Sequence, residues 1–259
     1  MAMERDQTPA GPRRVLVVGG TSGIGEAVTR ILAGRGWSLV VTGRDSGRLA
    51  QVADGLRAHG ASRVVPLPLD ATAFGDAFEI VTKAAAAAGG PLDGVIVCHG
   101  WSPPEKGRWL SAEETRGVID ANFTSAAIIL SAAAGHLEHR SGGFLCVISS
   151  VAGDRGRPGN FTYGSAKAGL TAYCSGLRAR LHKSGVAVLT VKPGYVDTPM
   201  LRALGVGRSW LVADADRIAG DIVRAIDRRR DVLYTPWFWW WILLAVRLIP
   251  ETIFKRLRT

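Results

Sequence analysis

The sequence predicts an α/β fold: a doubly wound, parallel sheet of seven strands with helices on both faces. Three observations lead there. Short β-branched runs alternate with helix-period segments as far as residue 235. The first run passes through a glycine-rich turn directly into a helix. At 259 residues, 47% of them hydrophobic, the chain can bury one large core, and its composition does not shift before residue 236. Residues 13–235 therefore read as one domain, with a polar leader at 1–12 and a distinct C-terminal segment at 236–259.

The first strand, Val15 to Val18, ends in Gly19-Gly20-Thr21-Ser22-Gly23-Ile24-Gly25, and Ala27, Ile31 and Leu32 then mark one helix face. Strand, glycine turn and helix form the Rossmann-type context for a dinucleotide, because backbone can approach a pyrophosphate and the helix N-terminus faces the anion. The second strand, Leu39 to Thr42, runs into Gly43-Arg44-Asp45. An acidic group at that point would bond the 2′-hydroxyl of NAD, and an arginine accommodates the 2′-phosphate of NADP. Arg44 comes first, which favours NADPH over NAD. Strand three, Arg63 to Leu67, precedes Asp70, and an alanine-rich helix from Phe74 to Ala88 stops at Gly89-Gly90-Pro91. Strand four, Gly94 to Cys98, enters His99-Gly100-Trp101, and a long helix from about Ala112 to Gly135 carries Asn122 in its middle. An asparagine there competes with the backbone, which implies a kink or a task. Strand five is Phe144 to Ser149, and a helix then runs to about His182. Strand six, Val186 to Val191, leads to Lys192-Pro193-Gly194-Tyr195-Val196-Asp197-Thr198. A variable stretch to Trp210, a helix from Asp214 to Arg228 and a last strand, Val232 to Thr235, complete the domain.

The candidate chemistry lies in Ser150 and in Tyr163-Gly164-Ser165-Ala166-Lys167. Residues four apart share a helix face, so Tyr163 and Lys167 point into one space. A cation one turn away should lower the phenol's pKa from about 10 towards the range of efficient proton transfer. Ser150 follows a buried strand, at the sheet end where such folds bind ligands. A hydroxyl to polarise a carbonyl, a phenol to give or take its proton and a lysine to tune the phenol make a carbonyl/alcohol redox site.

The formal charge is +10, from 32 basic and 22 acidic residues, but the bases are dispersed rather than clustered with aromatics, which argues against nucleic acid. Local density at Arg228-Arg229-Arg230 and Lys255-Arg256-Leu257-Arg258 suits an anionic membrane surface or a phosphate-bearing ligand. Cys98, Cys146 and Cys174 have neither metal-ligand spacing nor a disulfide framework, which suits a reducing compartment. Trp237 to Val246 is apolar all round, and a helix from Trp237 to Ile249 would measure roughly 20 Å against a hydrocarbon core of ~30 Å. It is too short to span, and clustered tryptophans favour the headgroup boundary, so residues 236–259 read as a peripheral membrane anchor. Packing in a subunit interface is the alternative. Trp101 and Trp210 follow strands four and six, where a substrate mouth would open.

Over about residues 13 to 235 the chain resembles the short-chain dehydrogenase/reductases. The family's Thr-Gly-x-x-x-Gly-x-Gly falls on Val18 to Gly25, with valine in place of threonine, and its adenine-side aspartate falls on Asp70. Its Asn-Asn-Ala-Gly is here Val97-Cys98-His99-Gly100, which keeps only the glycine. Asn122, Ser150, Tyr163 and Lys167 match its catalytic tetrad, and Pro193, Gly194, Val196 and Thr198 match its nicotinamide side. The resemblance implies that Ser150 bonds the substrate carbonyl and Tyr163 protonates its oxygen. It gives Lys167 the cofactor ribose and Asn122 a relaying water, and it implies a homodimer or homotetramer. Within the family, Gly19-Gly20-Thr21-Ser22, Ser149 to Gly153 and the tail resemble the polyprenylphosphoryl pentofuranosid-2-ulose reductase branch. That likeness implies a lipid-linked ketone substrate at the inner face of the cytoplasmic membrane, with a flavin oxidase acting upstream. Another ketolipid, such as 3-ketosphinganine, is the alternative substrate, and a non-catalytic NADP(H)-sensing subunit the alternative class.

Overall fold

A computed structural model describes residues 13–105, 108–140, 142–205 and 209–257; the leader at 1–12 and Arg258 lie outside the described residues. The strands are β1 (Arg14–Val18), β2 (Ser38–Gly43), β3 (Arg63–Pro68), β4 (Gly94–Val97), β5 (Phe144–Ile148), β6 (Ala187–Pro193), β7 (Tyr195–Val196), β8 (Val212–Ala213) and β9 (Val232–Thr235). The helices of the first half are α1 (Gly23–Gly34), α2 (Ser46–Ala58), α3 (Phe74–Ala87), α4 (Ala112–Ile119) and α5 (Ser125–Glu138). Those of the second half are α6 (Phe161–Leu181), α7 (Pro199–Ala203), α8 (Ala215–Asp227), α9 (Phe238–Leu248) and α10 (Glu251–Phe254).

Seven strands form one parallel sheet in the order β3-β2-β1-β4-β5-β6-β9. Alternate residues of the central strands feed two cores. Val15, Val17, Leu39 and Val41 pack with α1, α2 and α8 on one face. Leu16, Val18, Val40 and Val95 pack with α3, α5 and α6 on the other. Burial on both faces explains why these strands read as continuous apolar runs. The strand order reverses between β1 and β4, which opens a crevice at their carboxyl ends.

Three features depart from the sequence reading. The helix expected over 112–135 is α4 and α5 joined by a π-helical turn, Asp120–Thr124, with Asn122 inside it. The extra residue per turn is the kink the asparagine implied. The stretch from Tyr195 to Trp210 holds β7 and α7, and β7 pairs in parallel with β8. Two-residue strands carry no periodicity to detect. Contacts also cross the boundary drawn at residue 236. Trp239 and Leu243 of α9 are buried against Val151, Tyr195 and Tyr234. Arg155 donates to the carbonyls of Val246 and Ile249 at 2.6 Å each and to the Glu251 carboxylate at 2.9 Å. Its guanidinium also lies 3.8 Å from the Phe254 ring centre.

Candidate active site

A cavity of 570 Å³ opens at the switch point, with Ser22, Gly100, Ser150, Tyr163, Lys167 and Thr198 in its walls. Ser150 follows β5 and caps a single 3-10 turn, Val151–Gly153, by accepting from the Ala152 N–H at 3.1 Å. Tyr163 lies in the first turn of α6 and Lys167 one turn on, as their spacing predicts. The lysine is only 3% exposed, and its ammonium donates to the Ile148 carbonyl at 3.0 Å. Asn122 is fully buried and donates through Nδ2 to the Val118 carbonyl at 2.8 Å and the Trp101 carbonyl at 2.5 Å. Its Oδ1 accepts from the Trp101 N–H at 3.3 Å, so the π-turn holds the loop after β4. The four residues come from three places, the π-turn, the segment after β5 and α6: Ser150, Tyr163 and Lys167 line the cavity, and Asn122 lies behind Gly100 of its wall.

The electrostatics correct one expectation. The lysine does not bring the phenol's pKa down: burial pushes Tyr163 up to about 12, against a weaker opposing pull from the Ser150 hydroxyl. The Lys167 Nζ stands 5.7 Å from the phenol ring centre and is engaged with backbone. Burial also brings Lys167 down to about 8. Desolvation is the largest influence on each group, because each leaves water on folding. At neutral pH the phenol therefore holds its proton.

The residues expected to hold a dinucleotide gather along the same crevice. Gly19 adopts φ +77°, and a Cβ there would lie 2.7 Å from the His99 backbone nitrogen. Ser22 caps α1, accepting from the Gly25 N–H at 3.1 Å, so Thr21, Gly23 and Ile24 open the helix N-terminus into the cavity. Arg44 is exposed at the end of β2, whereas the Asp45 carboxylate caps α2 by accepting from the Arg48 N–H at 2.9 Å. Committed to its cap, the aspartate leaves the arginine as the free charge for a 2′-phosphate. Asp70 is exposed after β3 and holds its own turn by accepting from Thr72, which lowers its pKa. His99 bonds Ser125 through Nε2 at 2.8 Å, and burial pushes it down to about 3, so it packs as a neutral ring. Pro193, Gly194, Val196 and Thr198 line the opposite wall, with Thr198 capping α7. This donor and cradle set fits a phosphorylated dinucleotide.

The structure adds residues that sequence reasoning missed. A Cβ at Gly194 would lie 1.8 Å from the Trp239 indole nitrogen, so that glycine admits the tail tryptophan to the cavity wall. Lys192 donates to Asp154 at 2.5 Å, and the Tyr234 hydroxyl donates to the same carboxylate at 2.7 Å. This network ties the loop after Ser150 to β6 and β9. Glu105, 2% exposed in the loop after β4, accepts from the Thr162 and Tyr163 N–H groups at 3.1 Å each. None of these has a local signal, because each partner lies tens of residues away.

Fold and site together define a nicotinamide-dinucleotide-dependent oxidoreductase. The chain belongs to the short chain dehydrogenase family, which it matches over residues 13–208. It is 32% identical over 252 residues to an uncharacterized oxidoreductase of Mycobacterium tuberculosis, covering 97% of this chain and 99% of that one. An uncharacterized oxidoreductase of Streptomyces coelicolor is 34% identical over 256 residues, covering 95% and 96%. Among solved structures, a short-chain dehydrogenase from Sphingobium yanoikuyae in complex with NADPH is 26% identical, with a TM-score of 0.79 over 96% of this chain and 97% of that one. A short-chain type dehydrogenase/reductase from Mycobacterium ulcerans is 25% identical, with a TM-score of 0.77 over 86% and 88%.

Proposed function

We propose that this oxidoreductase uses NADPH to reduce a ketone carried on a membrane lipid, the best-fitting substrate being a polyprenylphosphoryl pentose 2-ulose. Bound NADPH supplies the hydride that, with one proton, converts the ketone to a secondary alcohol. Ser150 orients the carbonyl oxygen and Tyr163 delivers the proton. Lys167 would hold the cofactor ribose through its buried ammonium, while Asn122 fixes the loop after β4 through the Trp101 backbone. Arg44 would pair with the 2′-phosphate, a choice supported by the NADPH bound to the Sphingobium relative.

The lipid-borne substrate rests on one observation: the cavity's lip continues into an exposed aromatic face. Trp239 packs on Gly194 and Tyr195 of the cavity wall, and the same helix exposes Trp240 and Trp241. Trp237, Leu248 and Ile253 flank them, with Arg247, Lys255 and Arg256 exposed alongside. Burial is worth roughly 25 cal/mol per Å² and an aromatic side chain offers ~150–250 Å², so partial insertion of this face yields several kcal/mol of membrane affinity. α9 spans 11 residues, about 17 Å, and so lies on a bilayer rather than crossing it. Arg157 in the cavity wall suits an anionic lipid ketone better than 3-ketosphinganine, whose amine is cationic, since the Glu105 carboxylate of the same wall is taken up by the Thr162 and Tyr163 N–H groups.

The test is NADPH oxidation with a polyprenylphosphoryl 2-ulose presented in anionic liposomes, compared with a short water-soluble ketone. The lipid substrate should be reduced far faster. Tyr163→Phe should abolish reduction of both, a loss of 10²–10⁴-fold or more, while NADPH still binds. Equal rates on both ketones would overturn the lipid assignment, and an active Tyr163→Phe enzyme would overturn the mechanism.

A further inference from the structure

α6 carries Tyr163 in its first turn, so the way that turn is held decides where the phenol points. The first N–H groups of a helix have no partner within it and usually find one in the side chain of the N-cap residue. The N-cap of α6 is Asn160, and among the described residues its side chain makes no cap bond and its buried Oδ1 meets no partner. Glu105 takes over the task from another part of the chain. Its Oε2 accepts from the Thr162 N–H and its Oε1 from the Tyr163 N–H, both at 3.1 Å. The carboxylate is 2% exposed and stands at the positive end of a helix of 21 residues, where a negative charge is favoured.

The loop that carries Glu105 is itself fastened at its other end. Trp101 exchanges backbone hydrogen bonds with the Asn122 side chain, and a Cβ on Gly100 would lie 2.6 Å from the Asn122 Oδ1. A single short segment, Gly100 to Glu105, thus joins the asparagine in the π-turn to the backbone of Tyr163. Ser102, Pro103, Pro104 and Glu105 also face the cavity, so the same segment forms its wall.

We propose that Glu105 is a positioning residue for Tyr163: its carboxylate caps the catalytic helix in trans and sets the phenol against Ser150. The inference rests on the catalytic role given to Tyr163 above. Glu105 touches neither the reacting atoms nor the dinucleotide crevice around Arg44 and Asp70. Its loss should therefore slow the proton step and leave NADPH binding unchanged.

The test compares Glu105→Gln with the wild type, using hydrogen exchange, NADPH affinity by tryptophan quenching, and reduction of a small water-soluble diketone. Gln keeps one accepting oxygen but turns an N–H towards the second backbone N–H. Amide exchange at Thr162 and Tyr163 should accelerate at least tenfold while the rest of the chain keeps its protection. kcat should fall on the order of tenfold to hundredfold, and the NADPH Kd should stay within about twofold. Glu105→Asp keeps the charge at shorter reach, so it should fold even if the Gln variant does not and still lower kcat. Unchanged exchange at Thr162 and Tyr163, or a wild-type kcat in both variants, overturns the proposal. So does a kcat loss matched by equal losses of NADPH affinity and of protection throughout the chain, which is fold damage. An active Tyr163→Phe enzyme would remove the catalytic reading itself, and with it the proposal. An inactive Tyr163→Phe beside fully active Glu105 variants sinks the proposal alone.

Discussion

At the end of β2 two neighbouring charges have different work. Asp45 spends its carboxylate on the α2 cap, whereas Arg44 remains exposed beside the glycine turn. An arginine–phosphate contact is charge-assisted and worth about 1.5–3 kcal/mol, roughly 10- to 150-fold in affinity. Arg44→Ala should therefore raise the KM for NADPH by at least tenfold and leave that for NADH within about twofold. Steady-state kinetics with both cofactors check this, and equal losses would remove the arginine from the 2′-phosphate. The same residue-scale logic applies at Tyr163, where burial rather than the neighbouring ammonium sets the protonation state.

Among the elements, α9 has one buried and one exposed face. The inner face, Trp239 and Leu243, is 4% and 3% exposed and packs with Val151 and Tyr195, Trp239 lying behind Gly194. The outer face carries Trp240, Trp241 and Leu248 at 44%, 59% and 74% exposure. Removing residues 236–259 would strip both faces and leave Arg155 without the carbonyls it holds, so truncation confounds anchoring with stability. Substituting only the outer face, Trp240→Ser, Trp241→Ser and Leu248→Ser, should free the protein from anionic liposomes. Its melting temperature and its turnover of a soluble ketone should stay close to wild type. Flotation with light scattering separates the readings: loss of subunits without any liposome binding in the wild type would make this face a subunit interface.

For the whole molecule, desolvation of Lys167 and Tyr163 makes stability depend on pH. Lys167 falls from an ordinary 10.5 to about 8, so between those values the unfolded chain holds a proton that the folded one has released. Stability therefore rises with pH across that window. Tyr163 acts in the opposite sense above pH 10, because the folded state keeps the phenol protonated to about 12 while the unfolded state ionises. Relative to Lys167→Met, the wild type should gain on the order of 1 kcal/mol between pH 7 and pH 9 in urea unfolding without cofactor. A flat or falling difference would mean that the lysine titrates normally in the fold.

Local pattern determined the fold class, the positions of the main strands and the Tyr163/Lys167 spacing, because each is written in contiguous residues, whereas Asn122 joined the candidate site only through the family resemblance. Apolar runs mark doubly buried strands, Gly19 to Gly25 follows β1 directly, and Tyr163 and Lys167 are one helical turn apart. Even the oddity of Asn122 within a helix was visible, although the π-turn that accommodates it was not. Only tertiary structure decided how the site is held. Glu105 meets α6 across 57 and 58 residues, Arg155 meets the tail across more than 90, and Trp239 fills the space that Gly194 leaves open. The pKa values belong to the same class, because desolvation depends on what surrounds a group in space. A sequence records periodicity and spacing along the chain. Which distant side chain completes a helix cap or excludes water from a lysine is set when the elements pack.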